Sequence, residues 1–409
     1  MTSYVDSSAT TREHCESMSA LHPDLASAYT NISTLYTSKL WHQVTTSILE
    51  FTSNPSKTLR CTAEGGNSYL ALYHEIILPI DKKLNPLSLS RIASCVANSL
   101  LVVPAVPGSG GDGVAARAVL ENLLEKKEEL GVPATLYIES KLALLTLSEQ
   151  DEPAMKQVKD MIKSGTKTLE SELEGTADTI VHSAFYEASM TYYKIAGPPE
   201  AFYQQALLYL NYTPLDALST EDKYQLATGI SLAALTGDGV FNFGEILTNP
   251  ILKCLEDTEN QWLLELMHVF GDGNVTDFRT ITSKYDTQIR AQPALVSRAD
   301  LLQEKITLIA LVNMIFERPS AERTLEFTDI ATRISVTLDQ VEWVIMRALS
   351  LGLMKGSMDQ VDGTVTVTWI VPRALNKDQL KTLANRFGEW AGNVSKTKDY
   401  MGERIPGLA

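Results

Sequence analysis

Apolar residues recur with a helical period through most of the first two-thirds of the chain. Ile92, Val96 and Leu100 fall on one helical face, and Pro104 ends that run. Ser219 and Asp222 have the spacing of a capping box, which starts a helix that runs to Leu235. Helix pairs joined by tight turns predict a helical-repeat α-solenoid. Because no sequence repeat of fixed period is present, a compact helical bundle remains the alternative.

The last third of the chain changes from this pattern to a mixture of helices and short strands. Its order is that of a winged helix, in which three helices are followed by a hairpin. The predicted elements are a largely buried helix at 298–316, a short strand at 324–327, a helix capped by Thr328 that runs to Ile334, a helix capped by Thr337, and two strands that turn at Asp362-Gly363. Asp-Gly between strands predicts a type I′ turn.

The final strand of this hairpin alternates strictly between apolar and threonine residues. Val365, Val367 and Trp369 are expected to cover the helices of their own domain. The opposite face and the sheet edge remain available, since an edge strand can pair with a neighbouring chain. The candidate interface residues on the sheet are Leu353, Lys355, Thr364, Thr366 and Thr368.

A further helix follows the hairpin and carries apolar residues at alternating spacings of three and four. This spacing is typical of a coiled-coil seam. Two heptads are too short to be stable alone, so the seam needs either the body of this chain or partner helices. The candidate interface residues of the seam are Leu380, Leu383, Phe387, Trp390 and Val394.

Composition narrows the possible functions. The formal net charge of the 409 residues is -15, which disfavours binding to nucleic acid. No continuous apolar run reaches the roughly 18 residues that span a bilayer, and residues 1–11 lack the apolar core of a signal peptide. Four scattered cysteines without a Cys-x-x-Cys pair predict reduced thiols in an intracellular protein.

The motif from Gly108 to Gly113 matches the glycine spacing of a dinucleotide-binding loop. Such a loop needs a strand before the glycines, whereas the preceding residues have a helical period broken by Pro104 and Pro107. Asp112 also places a negative charge where a pyrophosphate would bind. We therefore interpret the motif as a flexible loop between helices.

Catalytic constellations are not found in the sequence. The six histidines form neither His-x-His nor His-Glu-x-x-His, and no nucleophile elbow or P-loop is present. The sequence therefore predicts no enzyme activity, no metal site and no cofactor.

DNA binding is the main competing function of a winged helix. Residues 295–371 contain seven basic and ten acidic residues, a net of -3, and the third helix presents Asp339, Gln340 and Glu342. Phosphate contacts require the opposite sign. A nucleic-acid adaptor is therefore the less favoured hypothesis, and protein assembly is favoured.

A helical array that runs into a winged helix and a terminal helix resembles the PCI-domain family of scaffold subunits. The segments that carry the resemblance to its proteasome lid members are 239–247, 261–263, 318–319, 325–330, 348–357 and 367–373. The resemblance extends over 170–400 and, less closely, over the N-terminal part. The glycine motif is not a feature of this family.

This resemblance implies a non-catalytic subunit of the proteasome lid, located in cytoplasm and nucleus. PCI subunits associate side by side through their winged-helix sheets, and their terminal helices gather in a bundle. The implied partners are other PCI and MPN-type lid subunits, without nucleic acid, membrane or small-molecule substrate. The COP9 signalosome and translation initiation factor three are the alternative complexes. The expected division is a frayed terminus at 1–20, helical repeats at 21–290, a winged helix at 291–373 and a bundle helix with its tail at 374–409.

Overall fold

The computed structural model describes residues 7–52, 68–102, 113–149, 152–171, 178–318, 323–372 and 377–404. The chain divides into two compact units, one formed by Met1–Gly197 with Leu208–Thr213 and the other by Pro198–Leu207 with Pro214–Ala409. The boundary expected after residue 290 falls inside the second unit. Of the glycine motif only Gly113 is among the described residues, and it begins a helix.

The described part of the first unit is built from helices that pack mainly on helices one or two places away in the sequence. A π-helical turn and a 3₁₀ turn at Tyr73–Ile77 and Leu78–Lys83 continue its fourth helix. Its helices are α1 (Ser7–Leu21), α2 (Ala26–Thr37), α3 (Trp41–Thr52), α4 (Ser68–Leu72), α5 (Pro86–Val102), α6 (Gly113–Leu124), α7 (Lys127–Glu149), α8 (Glu152–Ser171) and α9 (Thr179–Ala196). The next helix, α10 (Pro199–Tyr212), contributes residues to both units.

Helix α7 joins two hydrophobic clusters of the first unit. Leu130 and Ile138 belong to the cluster formed with α1 to α6, and Ala143 and Leu147 belong to the cluster formed with α8 and α9. Residues Glu129–Ser148 are long and apolar enough to cross a membrane by composition alone. Gly131 within this stretch has non-helical backbone angles (φ 75°, ψ 169°), and the stretch packs in both hydrophobic clusters, as a core segment of a folded protein does.

The second unit contains the remaining helices and all the described strands. Its sheet is antiparallel with the order β1-β3-β2. Its elements after α10 are α11 (Thr220–Thr236), α12 (Gly244–Thr248), α13 (Gln261–Asp272), α14 (Val275–Lys284), α15 (Asp286–Arg290), α16 (Pro293–Val296), α17 (Ala299–Glu317), β1 (Thr324–Glu326), α18 (Phe327–Ile334), α19 (Leu338–Ser350), β2 (Met354–Asp359), β3 (Thr364–Ile370) and α20 (Lys377–Arg404). This order is the predicted winged helix followed by a terminal helix.

The expected burial of α17 is confirmed, and one of its buried side chains is that of a lysine. The Lys305 side chain is fully buried, and its Nζ donates to the carbonyl oxygens of Ala234 and Leu235 at 2.9 and 3.1 Å. Arg298 donates to the carbonyl of Thr236 at 2.5 Å. These carbonyls lie in the last turn of α11, where cations are favourable. The two side chains therefore fasten the end of α11 to α17.

The predicted caps are correct in two cases and wrong in one. Asp222 N donates to Ser219 Oγ at 3.1 Å, which confirms the cap of α11. Thr337 occupies the N-cap position of α19, although its side chain makes no capping bond. Thr328 lies inside α18, whose N-cap is Glu326, because β1 runs directly into the helix.

The predicted type I′ turn is also wrong. Four residues, 360–363, connect β2 to β3. Gly363 has a φ of 60°, but Asp362 is not in the left-handed region, and a type I′ turn needs both. The Asp359 carboxylate instead accepts from the backbone N–H groups of Val361 and Asp362 at 3.0 and 3.1 Å. A side chain therefore closes a longer turn than the Asp-Gly pair indicated.

Candidate assembly interface

The terminal helix α20 presents the predicted apolar seam to solvent. Leu380, Phe387, Trp390 and Val394 are 51%, 60%, 65% and 48% exposed, and Leu383 is half-buried. The helix has 28 residues, which corresponds to a length of about 42 Å. Bulky apolar side chains repeated along one exposed face mark a site for another protein surface.

Helix α20 is tied to α17 near the beginning of this seam. The Arg386 guanidinium donates to the carbonyl of Glu317, the last residue of α17, at 3.0 Å. A cation at a helix C-terminus is stabilised by the helix dipole and by the unpaired carbonyls there. This contact holds the base of α20 on the winged helix, while its seam stays exposed.

The structure extends the seam beyond the residues that the sequence indicated. Helix α20 continues to Arg404, and Met401 lies one heptad after Val394. Met401 is exposed, like every other member of the seam except the half-buried Leu383. Sequence reasoning missed it because Thr397 occupies the intervening position and interrupts the apolar pattern. We call the set of Leu380, Leu383, Phe387, Trp390, Val394 and Met401 the α20 seam.

Strand β2 forms the outer edge of the sheet and pairs with β3 alone among the described strands. The direction of its backbone groups follows from β3. Val367 N donates to the carbonyl of Arg323, so alternate residues of β3, including Val365, direct their backbone groups towards β1. Met358 is paired with Val365, and its N–H and C=O therefore point away from the sheet. Because no described strand pairs with these groups, they can receive a neighbouring strand.

The candidate residues on the sheet have different environments. Lys355 lies on β2, with its Nζ 5.1 Å from the centre of the Trp369 ring. Trp369 is 39% exposed, so the prediction that it covers the domain's helices is wrong. It lies where a register shift between Lys355 and Gly356 interrupts the pairing of β2 with β3. Leu353 is buried, and its backbone is bonded to Ala348 and Val371.

The three threonines lie on the middle strand, not at an edge. Thr366 and Thr368 are exposed, and Thr364 is half-buried. Thr366 Oγ1 lies 3.2 Å from Thr324 Oγ1, and Thr368 Oγ1 donates to the carbonyl of Lys355 at 3.1 Å. Because β3 is paired on both sides at Thr364 and Thr366, these two residues can offer only their side chains to a partner, whereas Thr368 lies at the register shift and has no Cα partner in β1 or β2.

Candidate catalytic groups do not converge in the described ranges. Within them, no group of three or more His, Cys, Asp or Glu side chains could hold a metal ion. Cys15, Cys95 and Cys254 are free thiols, while Cys61 lies outside the described residues. Burial raises the pKa of the Cys15 thiol to about 11, which makes it a poor nucleophile near neutral pH.

Comparison with known proteins decides between the complexes that use this architecture. Residues 28–267 match the family described as PSD13 N-terminal repeats, and residues 282–369 match the PCI domain. The chain is 33% identical to the 26S proteasome non-ATPase regulatory subunit 13 homolog A of Arabidopsis thaliana, over 97% of this chain and 98% of that protein. The chain belongs to this family of proteasome regulatory subunits.

A second relative shows that the similarity holds across distant organisms. The 26S proteasome non-ATPase regulatory subunit 13 of Dictyostelium discoideum is 32% identical over 92% of this chain and 93% of its own length. The resemblance to the PCI-domain family is thereby confirmed, and so are the helical repeats that the first two-thirds predicted. The eukaryotic translation initiation factor 3 subunit M of Coccidioides immitis is less similar, at 24% identity over 57% of this chain and 48% of that protein.

Proposed function

We propose that this protein is a non-catalytic structural subunit of the 26S proteasome lid. Its relatives are named as non-ATPase regulatory subunits of the proteasome, and the family match spans both of its predicted parts. The observation that carries a structural role is the α20 seam. Exposed apolar patches usually mark protein interaction sites, so we expect a partner helix to cover Phe387 and Trp390.

In this proposal the subunit assembles through two separate surfaces, the outer edge of β2 and the α20 seam. The outer edge of β2 pairs laterally with the winged-helix sheet of a neighbouring PCI subunit, through backbone groups such as those of Met358. The α20 seam enters a bundle with helices of other PCI and MPN-type lid subunits. The subunit thereby supports ubiquitin-dependent degradation in cytoplasm and nucleus without binding nucleic acid, membrane or substrate itself.

Removal of the apolar character of the seam tests this function. The double variant Phe387→Asp and Trp390→Asp should fold with an unchanged unfolding midpoint, because both side chains are exposed in the free chain. When the tagged protein is purified from its own cells, we expect the variant to recover at least about tenfold less of the regulatory-particle ATPases than the wild type. Quantitative mass spectrometry measures the difference.

Lys396→Glu provides the matched control. It changes the net charge by the same two units on the same helix, but it lies across the helix from the seam. We expect it to retain the ATPases at wild-type levels. Wild-type recovery of ATPases by the double variant would contradict the role of the seam.

A PCI subunit of translation initiation factor 3 is the second candidate function. The similarity to subunit M from Coccidioides immitis favours it over other PCI complexes as an alternative. The same purification distinguishes the two functions. Recovery of initiation-factor subunits without proteasome ATPases would favour the initiation-factor function over the proposed one.

A further inference from the structure

The third helix of the winged helix, α19, exposes large apolar side chains that its own domain does not need. Its inner face is formed by Val341, Val344, Ile345 and Ala348, all of which are buried. On its other faces Leu338, Trp343 and Met346 are 53%, 55% and 50% exposed. Exposed tryptophan is uncommon on a helix whose core face is already complete.

The tip of the hairpin adds a fourth apolar side chain beside this helix. Gln360 Nε2 donates to the Glu342 carboxylate at 3.1 Å, which fixes the tip against α19. Asp359 holds the turn from within by accepting two backbone N–H groups. Val361 is left 95% exposed at the tip. We call Leu338, Trp343, Met346 and Val361 the helix–wing surface.

The charges around this surface are negative. Asp339 and Glu342 lie on α19 among the apolar residues, and Asp362 lies at the tip beside Val361. Arg347 of α19 is engaged by the Glu304 carboxylate at 2.6 Å. A winged helix that binds DNA places its third helix in the major groove between two phosphate backbones, which repel carboxylates. The charges therefore exclude phosphate and favour a cationic partner.

We propose that the helix–wing surface docks a basic amphipathic helix of a partner protein. Apolar side chains of that helix would pack on Trp343 and Met346, and its Lys or Arg residues would face Asp339 and Glu342. Tryptophan is one of the residue types enriched among the side chains that anchor protein interfaces. This surface is distinct from the edge of β2 and from the α20 seam, so the inference does not depend on the proposed function.

A synthetic helix of this chemistry tests the proposal on the full-length protein. The probe is a fluorescein-labelled peptide with leucines at i, i+3, i+4 and i+7 on one face and lysines on the other. We expect saturable binding by fluorescence anisotropy, and an otherwise identical peptide with glutamates in place of the lysines should bind at least about tenfold more weakly. Replacing Asp339 and Glu342 by Asn and Gln should reduce that preference.

The double variant Trp343→Ser and Met346→Ser removes the anchors. Both side chains are half-exposed, so the variant should keep the wild-type circular dichroism spectrum and unfolding midpoint. It should bind the lysine peptide at least about tenfold more weakly. Val114→Ser removes a more exposed apolar side chain on α6, outside every proposed interface, and should leave binding unchanged.

Three results would overturn the proposal. The first is wild-type affinity of the Trp343→Ser, Met346→Ser variant for the lysine peptide. The second is equal affinity of the wild type for the lysine and glutamate peptides, and the third is equal loss of binding in Val114→Ser. Binding of a DNA duplex that requires Trp343 would assign the surface to nucleic acid instead.

Discussion

At the scale of single residues, Lys305 shows how a charged side chain can belong to a core. In the sequence, Lys305 is one of the seven basic residues counted between 295 and 371. The structure buries it against the end of α11. Helical periodicity indicates where α17 lies. It does not reveal that Lys305 donates hydrogen bonds to backbone carbonyls at the end of α11.

The environment of Lys305 predicts an unusual dependence of stability on pH. Burial lowers the Lys305 pKa to about 8 from an ordinary value of 10.5, although Asp238 opposes the shift. Between these two values the unfolded chain binds a proton that the folded chain does not, so stability rises with pH. The increase over the whole interval is on the order of 3 kcal/mol.

We therefore expect the free energy of unfolding of the wild type to rise from pH 8 to pH 10 relative to that of Lys305→Met. Chemical denaturation at several pH values measures this difference. Lys396→Met, at an exposed position, should follow the wild type. Parallel curves for wild type and Lys305→Met would show that the amine does not titrate differently on folding.

At the scale of elements, the strand order decides which residues can meet a neighbour. Alternation along 364–371 predicts the two faces of the strand, but it does not predict that β3 lies between β1 and β2. Thr364, Thr366 and Thr368 therefore lie on the middle strand and not on an edge strand. The seam of α20 could be predicted more fully, because a heptad pattern lies within one continuous helix.

A proline at the edge of β2 tests lateral pairing. Met358→Pro removes an N–H that points away from the sheet, so the bonds between β2 and β3 remain, as proline is tolerated at such edge positions. Met358→Ala removes the same side chain and keeps the N–H. We expect the proline variant to enter the assembled particle at least about tenfold less than the alanine variant, measured by quantitative mass spectrometry. Equal incorporation of the two variants would exclude a backbone contact at Met358.

At the scale of the whole chain, the family match and the order of helices and strands both support a proteasome regulatory subunit with helical repeats and a PCI domain. The order of elements after residue 290 could be predicted from apolar spacing and capping residues, because those patterns are local. The division of the chain inside α10 could not, since it depends on contacts between residues far apart in the sequence. The position of the hairpin tip beside α19 was equally hidden, because the bond between Gln360 and Glu342 joins residues that are not neighbours in the sequence.

The central claim is that assembly buries the α20 seam. Hydroxyl-radical footprinting of the free chain and of the purified regulatory particle measures the accessibility of individual side chains directly. Oxidation of Phe387, Trp390 and Met401 should be at least about fivefold slower in the particle, because bundle packing removes these side chains from water. Val114, which is 79% exposed on α6, serves as a reference outside α20. Equal oxidation of Trp390 in the free chain and in the particle would contradict the account.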